Sequence, residues 1–267
     1  MFSVNVFLYF DGIFYLHFLI SVFSFGKLYF KPVVLYMLET TQSVLWPDGR
    51  NRGINQSINQ SINQSINQSI NLYLCRGENP KVTLGAHSLK KAEPSKQIFT
   101  VAKRIPYPCF DEQAKENDLM LLQLNRAAKI NSNVSPVKLA QTFDDLKAGT
   151  ECLVAGWGVV DNKQKKPADT LREVNVTVIE RHICNDKKHY NFQPIVTMNM
   201  VCAGSKKGGK DTCAGDSGGP LICNGQQRGI VSFGKLLKCA DRQFPGVYTR
   251  LTKNFLNWIK KTIGGDL

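Results

Sequence analysis

No two of the eight cysteines, at 75, 109, 152, 184, 202, 213, 223 and 239, stand in a C-x-x-C pair. That absence argues against a zinc module and leaves no metal or other cofactor to expect. An even, dispersed set suits disulfides and an oxidising compartment instead. Long apolar runs are missing too. The densest, from Ile13 to Phe25, covers 13 residues and contains His17, whereas a membrane helix needs about 20 apolar residues. Its length fits the core of a signal peptide, but the basic segment that should precede one is absent. Acidic side chains are in short supply, 21 against 34 basic ones in 267 residues, for a net charge of +13. The imbalance belongs to residues 72–267, with 30 basic and 18 acidic side chains; residues 1–71 carry a net of only +1. All eight cysteines lie in that second part as well. Such basicity points to anionic partners, whether sulfated glycans, nucleic acid or acidic membranes, and no feature singles out nucleic acid among them. A hydrophobic content of 43% with 21% charged residues excludes wholesale disorder and collagen-like repetition.

The chain divides at about residue 72. From Ile54 to Asn71 it repeats Ile-Asn-Gln-Ser without variation. A four-residue period matches no stacking fold, since such repeats need about 20 residues or more. Two readings stand for this stretch. It is a flexible polar linker, or it is the translation of the tetranucleotide ATCA, with the Phe-rich leader before it read through from AT-rich DNA in the same way. On the second reading residues 1–71 are no natural domain and the gene model is incomplete. Residues 72–267 behave as a folded unit. Val174, Val176 and Val178 alternate with Asn175 and Thr177 as a half-buried strand does. Phe255, Ile259 and Ile263 recur at helical spacing, with Leu256 beside them and Lys253, Lys260 and Lys261 left for water. Strands throughout and one helix at the end predict an all-β antiparallel barrel or sandwich.

The chemistry concentrates in Asp211-Thr-Cys-Ala-Gly-Asp-Ser-Gly-Gly-Pro220. A serine flanked by glycines keeps its hydroxyl exposed and lets backbone N–H groups approach a substrate carbonyl. The strand-like Leu-Ile-Cys that follows Pro220 does not suit the strand-to-helix turn of an α/β-hydrolase. The block resembles the active-site loop of the trypsin-like, chymotrypsin-fold serine proteases. Supporting stretches follow in that family's order: Asn117-Asp118-Leu-Met-Leu-Leu122, Cys152-Leu-Val-Ala-Gly-Trp157-Gly158, Ser232-Phe233-Gly234 and Pro245-Gly246-Val247-Tyr248. Leu84-Gly-Ala-His-Ser88, Pro106-Tyr-Pro-Cys109 and Cys184-Asn-Asp-Lys-Lys-His-Tyr-Asn-Phe192 resemble the granzymes within it.

The resemblance implies a double antiparallel β-barrel with a C-terminal helix, and a serine endopeptidase that cleaves after Arg or Lys. It implies Ser217 as nucleophile, the N–H groups of Gly215 and Ser217 as oxyanion hole, and Asp118 as the carboxylate that orients the catalytic histidine. Asp211 becomes the base of the specificity pocket, with Ser232, Gly234 and Gly246 at the substrate. The implied bridges are Cys152–Cys223, Cys184–Cys202 and Cys213–Cys239. Cys75 and Cys109 remain. Cys109 resembles an interchain cysteine, which implies a disulfide-linked homodimer; a Cys75–Cys109 bridge and a buried thiol are the alternatives. A secreted or granule-stored enzyme held on sulfated proteoglycan is the setting implied. Asn133 and Asn175 each begin an N-glycosylation sequon.

Departures from the family are as plain as the likeness. No histidine lies between His17 and His87, where the family carries its catalytic imidazole. Cys75 aligns with the cysteine after that histidine, which puts Leu74 in its place. His87, His182 and His189 are expected to be solvent-facing or locally bonded. The Ile-Ile-Gly-Gly-like mature start, whose amino group pairs with the residue matching Asp216, has no counterpart, and the first barrel is expected to be incomplete. The chain as written is therefore expected to be inactive. Two other readings compete: a non-catalytic homologue that binds basic peptides or sulfated glycans, and a protease anchored in a membrane by residues 1–38.

Overall fold

The computed structural model describes residues 7–9, 13–15, 33–36, 81–137, 139, 142–161, 166–235 and 238–263. His17, Leu74, Cys75, Lys163, Lys165 and the Ile-Asn-Gln-Ser repeat lie outside them.

Twelve strands and two helices are described. The first sheet contains β1 (Phe7–Tyr9), β2 (Ile13–Tyr15), β3 (Val33–Tyr36), β4 (Lys81–Leu84), β5 (Gln97–Pro106) and β6 (Met120–Leu124), in the order β1-β2-β4-β5-β6-β3. The second closes as a barrel of β7 (Glu151–Gly156), β8 (Arg172–Ile179), β9 (Met200–Gly204), β10 (Pro220–Cys223), β11 (Gln226–Phe233) and β12 (Gly246–Arg250). Helix α1 (Arg181–Asn185) follows β8, and α2 (Lys253–Ile263) ends the chain. The mostly antiparallel arrangement of one closed barrel, a second sheet and a C-terminal helix is the all-β, chymotrypsin-like architecture.

The first sheet also takes strands from before residue 72. Three segments of three or four residues pair with the first sheet, β2 running parallel to β4 and β3 antiparallel to β6. Phe-Leu-Tyr, Ile-Phe-Tyr and Val-Val-Leu-Tyr are strong β-formers. The edges of β4 and β6 present unpaired backbone groups that such segments satisfy.

One strand joins the two halves. Strand β6 is apolar apart from Gln123, close to what a strand buried on both faces should be. Its side chains alternate between two cores. Met120, Leu122 and Leu124 meet Val82, Leu84 and Phe99 of the first sheet. Leu121, with Leu119 just ahead of the strand, meets Ile230, Leu251 and the Phe255, Leu256 and Ile259 stripe of α2. Thr252 starts that helix, its hydroxyl accepting from the Phe255 N–H at 3.4 Å. Tyr107 closes the seam edge-on to Phe255 and Trp258, at 4.7 and 5.0 Å between ring centres. The barrel has its own core, in which Val176 and Val178 are buried while Asn175 stays exposed on the opposite face of β8.

Three disulfides brace this half. Cys152–Cys223 ties facing residues of β7 and β10, and Cys184–Cys202 fastens α1 to β9. Cys213–Cys239 links two loops. Three bridges fit an oxidising compartment. No helix among the described residues is long and apolar enough to cross a membrane.

Candidate active site

The loop from Asp211 to Gly219 makes two tight turns before β10. Gly215 occupies φ +92°, a conformation that L side chains rarely adopt. The turns use up most of their own amides: Asp216 N–H donates to Cys213 O, Gly218 to Val231 O and Gly219 to Asp216 O. The N–H groups of Gly215 and Ser217 make no hydrogen bond among the described residues. Two unspent donors therefore flank the partly buried Ser217, and such donors can stabilise a developing oxyanion.

Asp118 sits two residues ahead of β6 and is 2% exposed. Its Oδ2 accepts from the Ser232 hydroxyl of β11 at 2.9 Å. Its carbonyl accepts from the Thr249 hydroxyl of β12 at 3.0 Å. Both clamps come from the barrel, so the acid of the first half is held by the second. The Ser232 side chain is thus turned to Asp118.

Asp211 is partly buried and held by backbone donors. Its Oδ1 accepts from the Thr212 N–H at 2.8 Å and its Oδ2 from the Ala240 N–H at 3.0 Å. The Cys213–Cys239 bridge fastens the two segments that supply those donors. Burial outweighs these bonds and pushes the carboxyl up to about 6. A Cβ at Gly246 would stand 2.8 Å from Asp211 Oδ1, whereas one at Gly234 would meet nothing within 4 Å. Gly246 therefore leaves the carboxylate reachable. Tyr248 OH stands 3.4 Å from Thr212 Oγ1, and its burial raises the phenol. The Pro-Gly-Val-Tyr stretch was visible in the sequence, yet nothing local assigns Tyr248 to the neighbourhood of Asp211.

Asp216 is turned inward. Its Oδ1 accepts from Gly158 N–H at 2.8 Å and its Oδ2 from Cys213 N–H at 2.9 Å. Full burial pushes this carboxyl up to about 6 as well. A Cβ at Gly158 would approach Asp216 Oδ2 to 2.3 Å, so the Trp157-Gly158 turn admits only glycine here. A cavity of about 410 Å³ opens beside Asp216 and Asp211, lined also by Val159, Arg172 and Lys210. Ser217, Ser232, Gly234 and Gly246 do not line it. It lies apart from the serine.

The described histidines are elsewhere. His87 is exposed, and its carbonyl accepts from the Trp157 indole at 2.8 Å. His182 faces Glu180 at 3.2 Å, and His189 Nδ1 meets Asp186 Oδ1 at 2.7 Å. None of the three is a partner of Asp118. Cys109, at φ +65°, is free and exposed.

Comparison with known proteins bears on this site. The Trypsin family model matches residues 73–259. Granzyme A of Bos taurus is 52% identical over 189 residues, which are 71% of this chain and 72% of that protein. Trypsin of Sus scrofa is 40% identical over 192 residues, 72% of this chain and 79% of its own. Trypsin-3 of Salmo salar is 38% identical over 192 residues, 72% and 77% of the two chains.

Proposed function

The chain belongs to the trypsin family of serine proteases, and on that premise we propose that it carries a complete slot for Arg or Lys and an incomplete catalytic relay. By family it is a trypsin-like serine endopeptidase acting on protein substrates. The observation that carries the finer reading is the Asp211 carboxylate under Gly246. A long cationic side chain entering there meets a charge in a poorly solvated slot, where pairing is strong. Ser217 attacks the carbonyl that follows, and the unspent N–H groups of Gly215 and Ser217 receive its oxygen. Asp118, held by Ser232 and Thr249, orients an imidazole.

No histidine among the described residues supplies that imidazole. The His182 and His189 rings meet Glu180 and Asp186 and His87 is exposed, and without a hydrogen-bonded base Ser217 keeps its proton at neutral pH. The cavity beside Asp216 has the position to take an amino terminus, which would order the loop. Removing one member of a serine-protease triad costs up to about a million-fold in turnover. The chain as written is therefore inactive although its family is enzymatic. The test combines two measurements on one preparation. A fluorescent benzamidine, an arginine-like cation, should bind, and Asp211→Ser should abolish binding. Labelling of Ser217 by a fluorophosphonate and turnover of an Arg thioester should stay near background. Labelling at a rate near trypsin's refutes the missing relay, and absence of amidine binding refutes the slot.

Exposed Cys109 supports a disulfide-linked homodimer. Non-reducing electrophoresis should show dimer for the parent chain and monomer alone for Cys109→Ser. Exposed Lys166, Lys187, Lys207 and Lys210 support diffuse, salt-sensitive attraction to sulfated proteoglycan. A secreted or granule-lumen setting fits the disulfides.

A further inference from the structure

A cleft of about 550 Å³, lined by neither Ser217 nor Asp211, runs between the end of β8, helix α1 and the turns after β9 and before β12. That volume falls within the roughly 300–1,000 Å³ of clefts that hold ligands. Its floor is apolar, formed by Val178, Ile179 and the exposed side chain of Ile183. Its rim is basic. Lys188, Lys206 and Arg242 are all exposed, and none forms an ion pair among the described residues. Glu180 is the one carboxylate on the lining; it is exposed and faces the His182 ring at 3.2 Å, while His189 is held by Asp186 at 2.7 Å.

Three cations without an ion pair among the described residues thus stand around apolar surface, and together they outnumber the single carboxylate there. Their summed field attracts negative charge. The occupant that complements both features carries negative charge and apolar side chains together. We propose that this cleft is a docking site for an extended segment of a partner protein in which acidic and apolar residues alternate. Successive side chains of an extended chain point to opposite sides, so apolar groups can face Ile183 while carboxylates reach Lys188, Lys206 and Arg242. A sulfated glycan would satisfy the rim and leave the floor unused. The site is independent of the specificity slot, and its occupancy needs no catalytic relay.

The experiment measures fluorescence anisotropy of a labelled peptide of alternating glutamate and leucine against the intact chain. A labelled all-glutamate peptide of equal charge and a heparin fragment are run in parallel. The alternating peptide should bind about tenfold more tightly than the all-glutamate one, because only it buries apolar surface. Charge reversal in Lys188→Glu/Lys206→Glu should weaken it by about tenfold or more. Ile183→Ser should reduce its affinity to that of the all-glutamate peptide, and saturating benzamidine should leave it unchanged. Both variants change exposed residues, and unaltered benzamidine binding checks that they fold. Equal affinity for the two peptides, or indifference to Ile183→Ser, shows polyanion attraction alone and overturns the proposal. So does displacement by benzamidine, and so does the absence of binding at low salt.

Discussion

Asp211 and Asp216 stand five residues apart, and burial raises both carboxyls to about 6. In the unfolded chain such groups titrate near 3.9. Between roughly pH 4 and 6 the folded state therefore binds more protons than the unfolded one, and stability falls as pH rises through that window. Ion-paired carboxylates have the opposite sign. Urea midpoints should decline from pH 4 to pH 6 and level off above, with a shallower decline in Asp216→Asn. Amidine binding should run the other way, because the cation needs Asp211 ionised. It should rise about tenfold per pH unit up to about 6 and then plateau; a flat profile would remove Asp211 from the slot. Ser232→Ala tests the clamp on Asp118. It strips a hydrogen bond from a buried carboxylate, which costs about 1–3 kcal/mol, measurable by urea unfolding. An unchanged midpoint would mean that water replaces the hydroxyl.

At the scale of elements, local pattern decides what can be read. The apolar run of β6, the alternation in β8 and the stripe of α2 each carry enough residues to declare their period. Helix α1 has five residues, too few for a period, and is fixed by the Cys184–Cys202 bridge and the Asn185 side chain, whose Nδ2 donates to Val196 O at 2.9 Å. Pairing of β1, β2 and β3 is tertiary, and short aromatic runs do not disclose which edge they will cover. The candidate site divides in the same way. Ser217, Gly215 and Asp216 share one string and were legible together. The contact of Ser232 with Asp118 spans 114 positions, and the Ala240 amide reaches Asp211 across 29. Spacing along the chain says nothing of such registers. The Cys213–Cys239 bridge holds the second of them. Replacing both cysteines by serine should cost about 2–4 kcal/mol and weaken amidine binding, whereas Cys184→Ser/Cys202→Ser should spare the slot. Equal loss of amidine binding in both would show general loosening instead.

Over the whole molecule, two cores meet along one strand. Leu119 and Leu121 pack with Ile230 and α2, while Met120 and Leu122 pack with the first sheet. Unfolding of the two halves should therefore be a single transition, coincident by tryptophan fluorescence and far-ultraviolet circular dichroism. Leu121→Ala should lower it by about 2–5 kcal/mol without splitting it. Two separated transitions would mean that the shared strand does not couple the halves.

The clasp of Ser232 and Thr249 on Asp118 bears on how the site could be assembled from parts. Asp118 borrows its position from β11 and β12, so in the proposed roles acid, serine and cation site travel as one component and an imidazole as another. That partition is the one fragment complementation requires: a receiving body already in register, and a donated segment whose only chemical duty is to present one ring. On this arrangement the described residues of a trypsin-family chain have the makings of the receiving half of a split enzyme.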